Sequence, residues 1–241
     1  MDRPLPAAMK PEELPILRGL ADSHRRQIME NTLLHTVPAG SMLFEQGDTP
    51  NFQIVVMSGS VQLFGRSTSG REVLVEVVSP PDLIIPAAVV TGAPYLMRAR
   101  VPEPSTFLLI QARTFRELVA SDLSLANSVI GSLSTQFRRM VRQIKNLKLR
   151  SAVQRIGCYL LTLSERQGTP DKAILPYEKN LIASELGITR ESFSRGLASL
   201  EKHGIRIDGQ TIWIDDAGQL ARECVPDPLI DDREPGFGLI D

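Results

Sequence analysis

Between residues 37 and 110 the chain has a texture that few folds can accommodate. Short runs rich in Val, Ile, Leu and Phe are cut by glycines at Gly40, Gly47, Gly59 and Gly70. Turn signals this closely spaced predict a small antiparallel β-barrel or sandwich, with strands at 42–45, 52–57, 60–66, 71–78 and 105–110. Glycine suits such turns because it takes positive φ at no steric cost. Ahead of this block, residues 1–10 carry two prolines and read as a loose arm. Residues 11–34 follow, where Ile28, Leu33 and Leu34 suggest short amphipathic helices.

After Ile110 the strand texture stops and a helical one begins. Val129, Ile130, Leu133, Phe137, Met140, Ile144 and Leu147 recur in steps of one, three and four, a single apolar stripe. The near-heptad spacing favours a parallel coiled-coil partner, a second copy of the same helix. The expected dimer interface is therefore Val129, Leu133, Phe137, Met140, Ile144 and Leu147. The basic end of this helix (Arg138, Arg139, Arg142, Lys145, Lys148, Arg150) is either a solvated face or the start of a DNA-facing surface.

A further helix is expected over 151–164, with Val153, Ile156, Tyr159, Leu160 and Leu163 inward, and a short strand at 173–176. Residues 181–200 then read as two short helices around a tight turn at Gly187. Leu181, Ile182 and Leu186 stripe the first; Phe193, Leu197 and Leu200 stripe the second. Between its apolar positions the second helix offers Thr189, Arg190, Glu191, Ser192, Ser194 and Arg195, side chains of the kind that bond base edges and phosphates in a major groove. Residues 204–214 alternate apolar and polar around Asp208-Gly209, a hairpin signal. A helix-turn-helix followed by a hairpin is a winged helix. The segment from Pro226 onward is acidic and proline-rich and is expected to be poorly ordered.

With 241 residues, 42% hydrophobic and 23% charged, the chain can build two ordinary domains. Its formal net charge of −1 means that any affinity for nucleic acid must come from a local patch. Cys158 and Cys224 lie far apart in sequence without metal-ligand spacing, and read as free thiols in a reducing compartment. The chain starts without a signal-peptide pattern, and the longest apolar run, 83–90, is too short to span a bilayer. A cytoplasmic protein without membrane contact is expected. There is no Ser/His/Asp set, phosphate-cradling glycine loop or paired-histidine motif, so an enzyme is not expected.

The order of parts resembles the CRP/FNR superfamily of bacterial transcription regulators over residues from about 14 to 215. The matching stretches are Ala39-Gly-Ser-Met-Leu-Phe-Glu-Gln-Gly-Asp48, Met57-Ser-Gly-Ser-Val-Gln-Leu-Phe64, the two-helix segment 181–195, and Leu200-Glu-Lys-His-Gly-Ile205. The resemblance implies an α+β chain: a cyclic-nucleotide-binding-like β-barrel (jelly roll) that senses an effector over 1–112, a long dimerisation helix over 113–149, and a winged-helix DNA-binding domain with an acidic tail over 150–241. The family's R-E-x-x-x-R element falls on Arg190, Glu191 and Arg195, and the E-x-x-S-R of its oxygen and nitric-oxide regulators on Glu191, Ser194 and Arg195. The partners implied are a second copy of the chain and a two-fold symmetric double-stranded DNA site with half-sites resembling TTGA or TTGC. RNA polymerase is a further partner that the resemblance raises.

The pattern breaks at the effector. Cyclic-nucleotide binders of this family hold ribose and phosphate with a G-E-L-A element and a later R-S pair. Here Ile85-Pro86 replaces the Gly-Glu pair and Tyr95-Leu96 replaces the Arg-Ser pair. A buried cyclic phosphate would then lack a cation, which is costly, so cyclic AMP is not expected. No cysteine precedes Cys158, which removes the ligands of an N-terminal iron–sulfur cluster. The effector class favoured is a small organic or aromatic molecule against Leu83, Ile84, Val89, Tyr95, Leu96, Arg98 and Phe137. The alternatives are haem, with His24, His35 and Met97 as candidate axial ligands, and a ligand-binding module that acts through protein contacts.

Overall fold

The computed structural model describes residues 11–231. The chain divides into two compact units whose boundary lies between Gln136 and Phe137.

The first unit is built on eight strands: β1 (Thr32–Val37), β2 (Met42–Phe44), β3 (Phe52–Ser58), β4 (Val61–Arg66), β5 (Glu72–Val78), β6 (Asp82–Ile84), β7 (Arg98–Arg100) and β8 (Ser105–Gln111). They form two antiparallel four-stranded sheets, ordered β1-β8-β3-β6 and β2-β7-β4-β5. Between the sheets lies an apolar filling that includes Phe44, Ile54, Val56, Leu63, Ile84, Tyr95 and Phe107. Strand alternation sends Val55, Met57, Leu83 and Leu108 to the opposite side, where they meet apolar side chains of α1 (Asp22–Glu30), α2 (Pro86–Thr91), α3 (Ala112–Ser121) and the start of α4 (Leu123–Leu149). The fold is thus the expected jelly roll with helices covering one sheet.

Three strands escaped the sequence reading. β1 was expected as helix, and β6 and β7 are only three residues long. Leu33 and Leu34 are not on an amphipathic helix: they pair with Leu109 and Leu108 along β1, which forms a sheet edge. The single helix expected over 113–149 is two. It breaks at Asp122, whose extended backbone (φ −115, ψ 111) ends α3 and whose carboxylate accepts the Leu125 N–H at 3.1 Å to open α4. The expectation for residues 1–10 lies outside the described residues.

In the second unit α5 (Ala152–Gln167) starts with a capping box between Ser151 and Gln154. It is followed by β9 (Lys172–Ile174), α6 (Lys179–Glu185), α7 (Arg190–Leu200), β10 (Ile205–Asp208), β11 (Thr211–Ile214), α8 (Ala217–Cys224) and α9 (Pro228–Asp231). The sheet order is β10-β11-β9. One core gathers Ile156 and Leu160 of α5, Ile182 of α6, Phe193, Leu197 and Leu200 of α7, and Ile212 and Ile214 of β11. Gly196 lets α7 approach α5 closely, since a β-carbon there would lie 2.4 Å from Ile156 Cδ1. The two cysteines are buried and free. They are neighbours in space, with Cys158 Sγ donating to the Cys224 carbonyl at 3.4 Å, and burial pushes both thiols up, to about 12 and about 11. Such thiols are protonated and unreactive.

The segment after Pro226, expected to be poorly ordered, holds structure through Asp231. Asp231 forms a two-bond ion pair with Arg150, one bond being 2.7 Å, and accepts the Asp227 N–H at 2.8 Å. Lys145 stands 3.5 Å from Asp227. Part of the basic end of α4 is therefore covered by the chain's own acidic segment.

Candidate nucleic-acid interface and effector site

The recognition surface starts with a cap. Thr189 adopts extended backbone before α7 and its hydroxyl oxygen accepts the Ser192 N–H at 3.2 Å. The Thr189 hydroxyl also donates to the Ser192 hydroxyl at 3.1 Å. Of the six residues expected to meet DNA, these two spend their hydroxyls on shaping the helix start. Arg190, Glu191, Ser194 and Arg195 are exposed. At about 100° per residue they fall within about 140° of helix circumference, while Phe193, Leu197 and Leu200 occupy a separate arc of about 60° that begins beside Arg190 and are buried. Among the described residues neither Arg190 nor Arg195 is held in an ion pair. The Glu191 carboxyl lies below its usual range because its own backbone N–H and the Thr189 hydroxyl favour the charged form, with Arg190 and Arg195 adding to the effect. The surface thus presents two guanidinium groups, a carboxylate and a hydroxyl.

The turn before α7 is fixed by Gly187, at φ +65. A β-carbon there would stand 2.6 Å from Leu147 Cδ2. Leu147 of α4, expected in the dimer interface, therefore packs on the turn of the helix-turn-helix while remaining partly exposed.

Along α4, Ile130, Phe137, Met140 and Ile144 are also exposed, Phe137 by 60%. With Leu133 and Leu147 they take alternate heptad positions. Val129 does not belong with them: it is 2% exposed, inside the core of its own unit, and Leu133 packs partly against that core. The apolar residues of α4 are wider than one helix face: Val129 meets the core of its own unit, while Ile130, Phe137, Met140 and Ile144 stay exposed.

The residues expected to form the effector pocket do not converge. Leu83 and Val89 point to the helix-covered side of the sheet, whereas Ile84 and Tyr95 point between the sheets. The reason is elementary: successive strand residues such as Leu83 and Ile84 face opposite ways. Leu96 is 82% exposed and Phe137 lies on the exposed side of α4. Arg98 is bonded to Glu45 at 2.8 Å and to Glu72. Where the resemblance puts Gly-Glu, Ile85 keeps a left-handed conformation (φ 42, ψ 56) at the start of α2, a state that costs an L-residue about 1–2 kcal/mol. Pro86 follows as the first helical residue and is buried. The haem candidates are not brought together either. His24 on α1 bonds Asp122 at 2.7 Å through Nδ1, His35 is exposed on the edge strand β1 opposite Phe107, and Met97 packs against the filling between the sheets.

What the first unit does offer is an open depression of about 430 Å³ between the loop after β2 and the segment before β7, with Phe44, Asp48, Thr49, Asn51, Phe52 and Tyr95 among its lining. Phe44 and Tyr95 stack at its base, ring centroids 3.7 Å apart at 17°. Of these only Tyr95 was among the expected pocket residues. Phe44 and Asp48 lie in the family-like stretch 39–48, Phe52 opens β3, and they meet Tyr95 only in the fold.

Residues 34–122 match the family model for the cyclic nucleotide-binding domain, and residues 154–223 that for the Crp-like helix-turn-helix domain. A CRP-like cAMP-activated global transcriptional regulator of Mycobacterium tuberculosis is 25% identical over 192 residues, covering 78% of this chain and 86% of the relative. The nitrogen fixation regulation protein FixK of Rhizobium meliloti is 25% identical over 173 residues, 72% of this chain and 77% of the relative. A solved structure of a transcriptional regulator of the crp/fnr family from Eubacterium rectale has the same fold, with a TM-score of 0.73 at 19% identity over 88% of this chain and 98% of that one. Regulators of this family bind DNA and act as dimers. No helix among the described residues is long and apolar enough to cross a membrane. The effector-binding unit, the helix-turn-helix unit and these likenesses agree: the chain belongs to the CRP/FNR superfamily of DNA-binding transcription regulators.

Proposed function

We propose that this chain acts as a homodimer that reads a two-fold DNA site with α7 and is switched by a small organic effector, other than cyclic AMP, held in its first unit. The observation that carries the reading is the exposed arc of Arg190, Glu191, Ser194 and Arg195, backed by a buried apolar face. Arg195 can bridge O6 and N7 of guanine, Glu191 can accept from N4 of cytosine, and Ser194 suits a thymine methyl or a phosphate. Two copies joined along Phe137, Met140, Ile144 and Leu147 would set half-sites about one helical turn apart. Contact of Leu147 with the Gly187 turn gives the dimer helix a direct hold on the reading head.

Against cyclic AMP stand the local charges. Tyr95 occupies the position of the family's phosphate-binding arginine and is buried in the filling between the sheets, and Arg98 is spent on two carboxylates. An effector acts only through its differential affinity for the DNA-competent and incompetent states.

The test is equilibrium binding of labelled duplexes carrying inverted TTGA half-sites, and variants with the guanine replaced. Arg195→Ala should cost about 1–3 kcal/mol on the best site and flatten the preference at the guanine. An Arg195→Ala protein that still discriminates the guanine sinks the assignment.

A further inference from the structure

We infer that the depression beside the Phe44–Tyr95 stack is a seat for an aromatic amine, with the ligand's ammonium on Asp48 and its ring against Phe52 and the stacked pair. The inference rests on the effector reading above and names the ligand's chemistry.

Size comes first. About 430 Å³ lies within the range of small-molecule sites, roughly 300–1,000 Å³, which combine apolar walls with a few placed polar groups. Charge comes second. Among the described residues Asp48 is the only ionisable carboxylate on the lining, and no Lys, Arg or His lines it. Arg98, which reaches Glu45 of the same loop, is neutralised there and by Glu72. An anionic ligand would meet a carboxylate with no compensating cation, whereas an ammonium would find a partner.

Geometry comes third. Asp48 is held in place: its Oδ2 accepts the Glu45 N–H at 2.8 Å, and its backbone carbonyl accepts the Tyr95 N–H at 2.9 Å. The Gly47 N–H in turn donates to the Tyr95 carbonyl at 2.8 Å. The loop and Tyr95 are thus tied by two backbone hydrogen bonds, which fix the carboxylate relative to the aromatic base. Burial and the Asp48 charge push the Tyr95 phenol up to about 12, so the field of that carboxylate reaches the ring. Aromatic rings beside a carboxylate suit organic cations, which gain from the ring quadrupole within about 6 Å.

The test uses the full-length chain and three probes of one shape: phenethylamine, 2-phenylethanol and phenylacetate, titrated by calorimetry. The amine should bind at least about tenfold more tightly than the carboxylate, a difference of about 1.4 kcal/mol. Asp48→Asn keeps an oxygen to accept the Glu45 N–H, so it should retain the loop, lose the amine by a similar factor, and leave the alcohol where it was. Tyr95→Leu should weaken amine and alcohol together. Phenylacetate binding as tightly as the amine, amine affinity indifferent to Asp48→Asn, or no binding of any probe each overturns the proposal. DNA affinity measured with and without saturating amine separates the two readings: amine bound at Asp48 with DNA affinity unchanged upholds the seat and refutes its role as the effector site.

Discussion

Asp231 is the polar position of the second unit whose loss strands a buried charge. Its carboxylate forms two bonds to Arg150, whose side chain is 5% exposed, while its own is 18% exposed. The charge of Arg150 is stabilised chiefly by that bond, which raises its pKa further. Asp231→Ala leaves a guanidinium in a desolvated place with only Asn146 Oδ1, at 3.2 Å, still bonded to it. Removing one partner of a fully buried pair costs about 3–5 kcal/mol. The residual exposure of Asp231 and the surviving Asn146 bond reduce this to about 2 kcal/mol. Trp213, the chain's single tryptophan, lies on β11 of this unit, so its emission follows the unfolding of the right part of the full-length protein. With a urea slope of about 1–3 kcal/mol/M for a unit of this size, the midpoint should fall by about 1 M. The double variant Arg150→Met with Asp231→Leu should recover most of the loss, because an apolar pair needs no charge compensation. A midpoint within about 0.2 M of the parent protein for Asp231→Ala would refute this reasoning.

Three further outcomes follow from the geometry. Gly187→Ala must place a methyl group 2.6 Å from Leu147 Cδ2 at φ +65; it should cost about 1–2 kcal/mol for the backbone alone, seen at Trp213, and an unchanged midpoint would contradict the packing. Phe137→Asp with Ile144→Asp places charges on the exposed side of α4 and should turn a dimer into monomers by sedimentation; dimers that persist would show that the seam lies elsewhere. The Asp122 carboxyl is held below its ordinary range, first by the His24 hydrogen bond and then by backbone N–H groups. A depressed carboxyl contributes stability above its unfolded pKa of about 3.9, lost as pH falls through the lower folded value. His24→Asn should therefore move the acid unfolding of the first unit to higher pH, and an unshifted acid limb would show that the pair contributes nothing.

The parts of this fold that a reader of the sequence can find are those with a local period. Glycine-punctuated apolar runs reveal β3, β4, β5 and β8, and the stripes and Gly187 turn reveal α6 and α7. β6 and β7 are too short to show a period, and in β1 Leu33 and Leu34 mimic a helix stripe because they lie on both faces of an edge strand. The break at Asp122 is a capping event that a helical pattern on both sides conceals. Val129 was assigned to the partner copy, because a stripe in sequence does not say which of two neighbours it meets. The exposed arc of Arg190, Glu191, Ser194 and Arg195 was legible, since it sits on one helix. The expected effector pocket was not: Leu83, Val89, Leu96 and Phe137 are close in motif order but do not meet in the fold, and the depression beside Tyr95 is assembled from Asp48, Asn51 and Phe44, which the turn at Gly47 brings to it. The acidic composition after Pro226 suggested disorder, and a single desolvated arginine, Arg150, overrides it through Asp231.

In the function proposed above, two copies of α7 read a symmetric site. Selection of binders from a pool of random-sequence duplexes by the full-length protein, sequenced after several rounds, tests it most directly. Two inverted half-sites of TTGA or TTGC type with centres about one helical turn apart should be enriched, and the same selection with Arg195→Ala should lose the guanine. Enrichment of a single, asymmetric site, or recovery of a pool without sequence preference, would contradict that function.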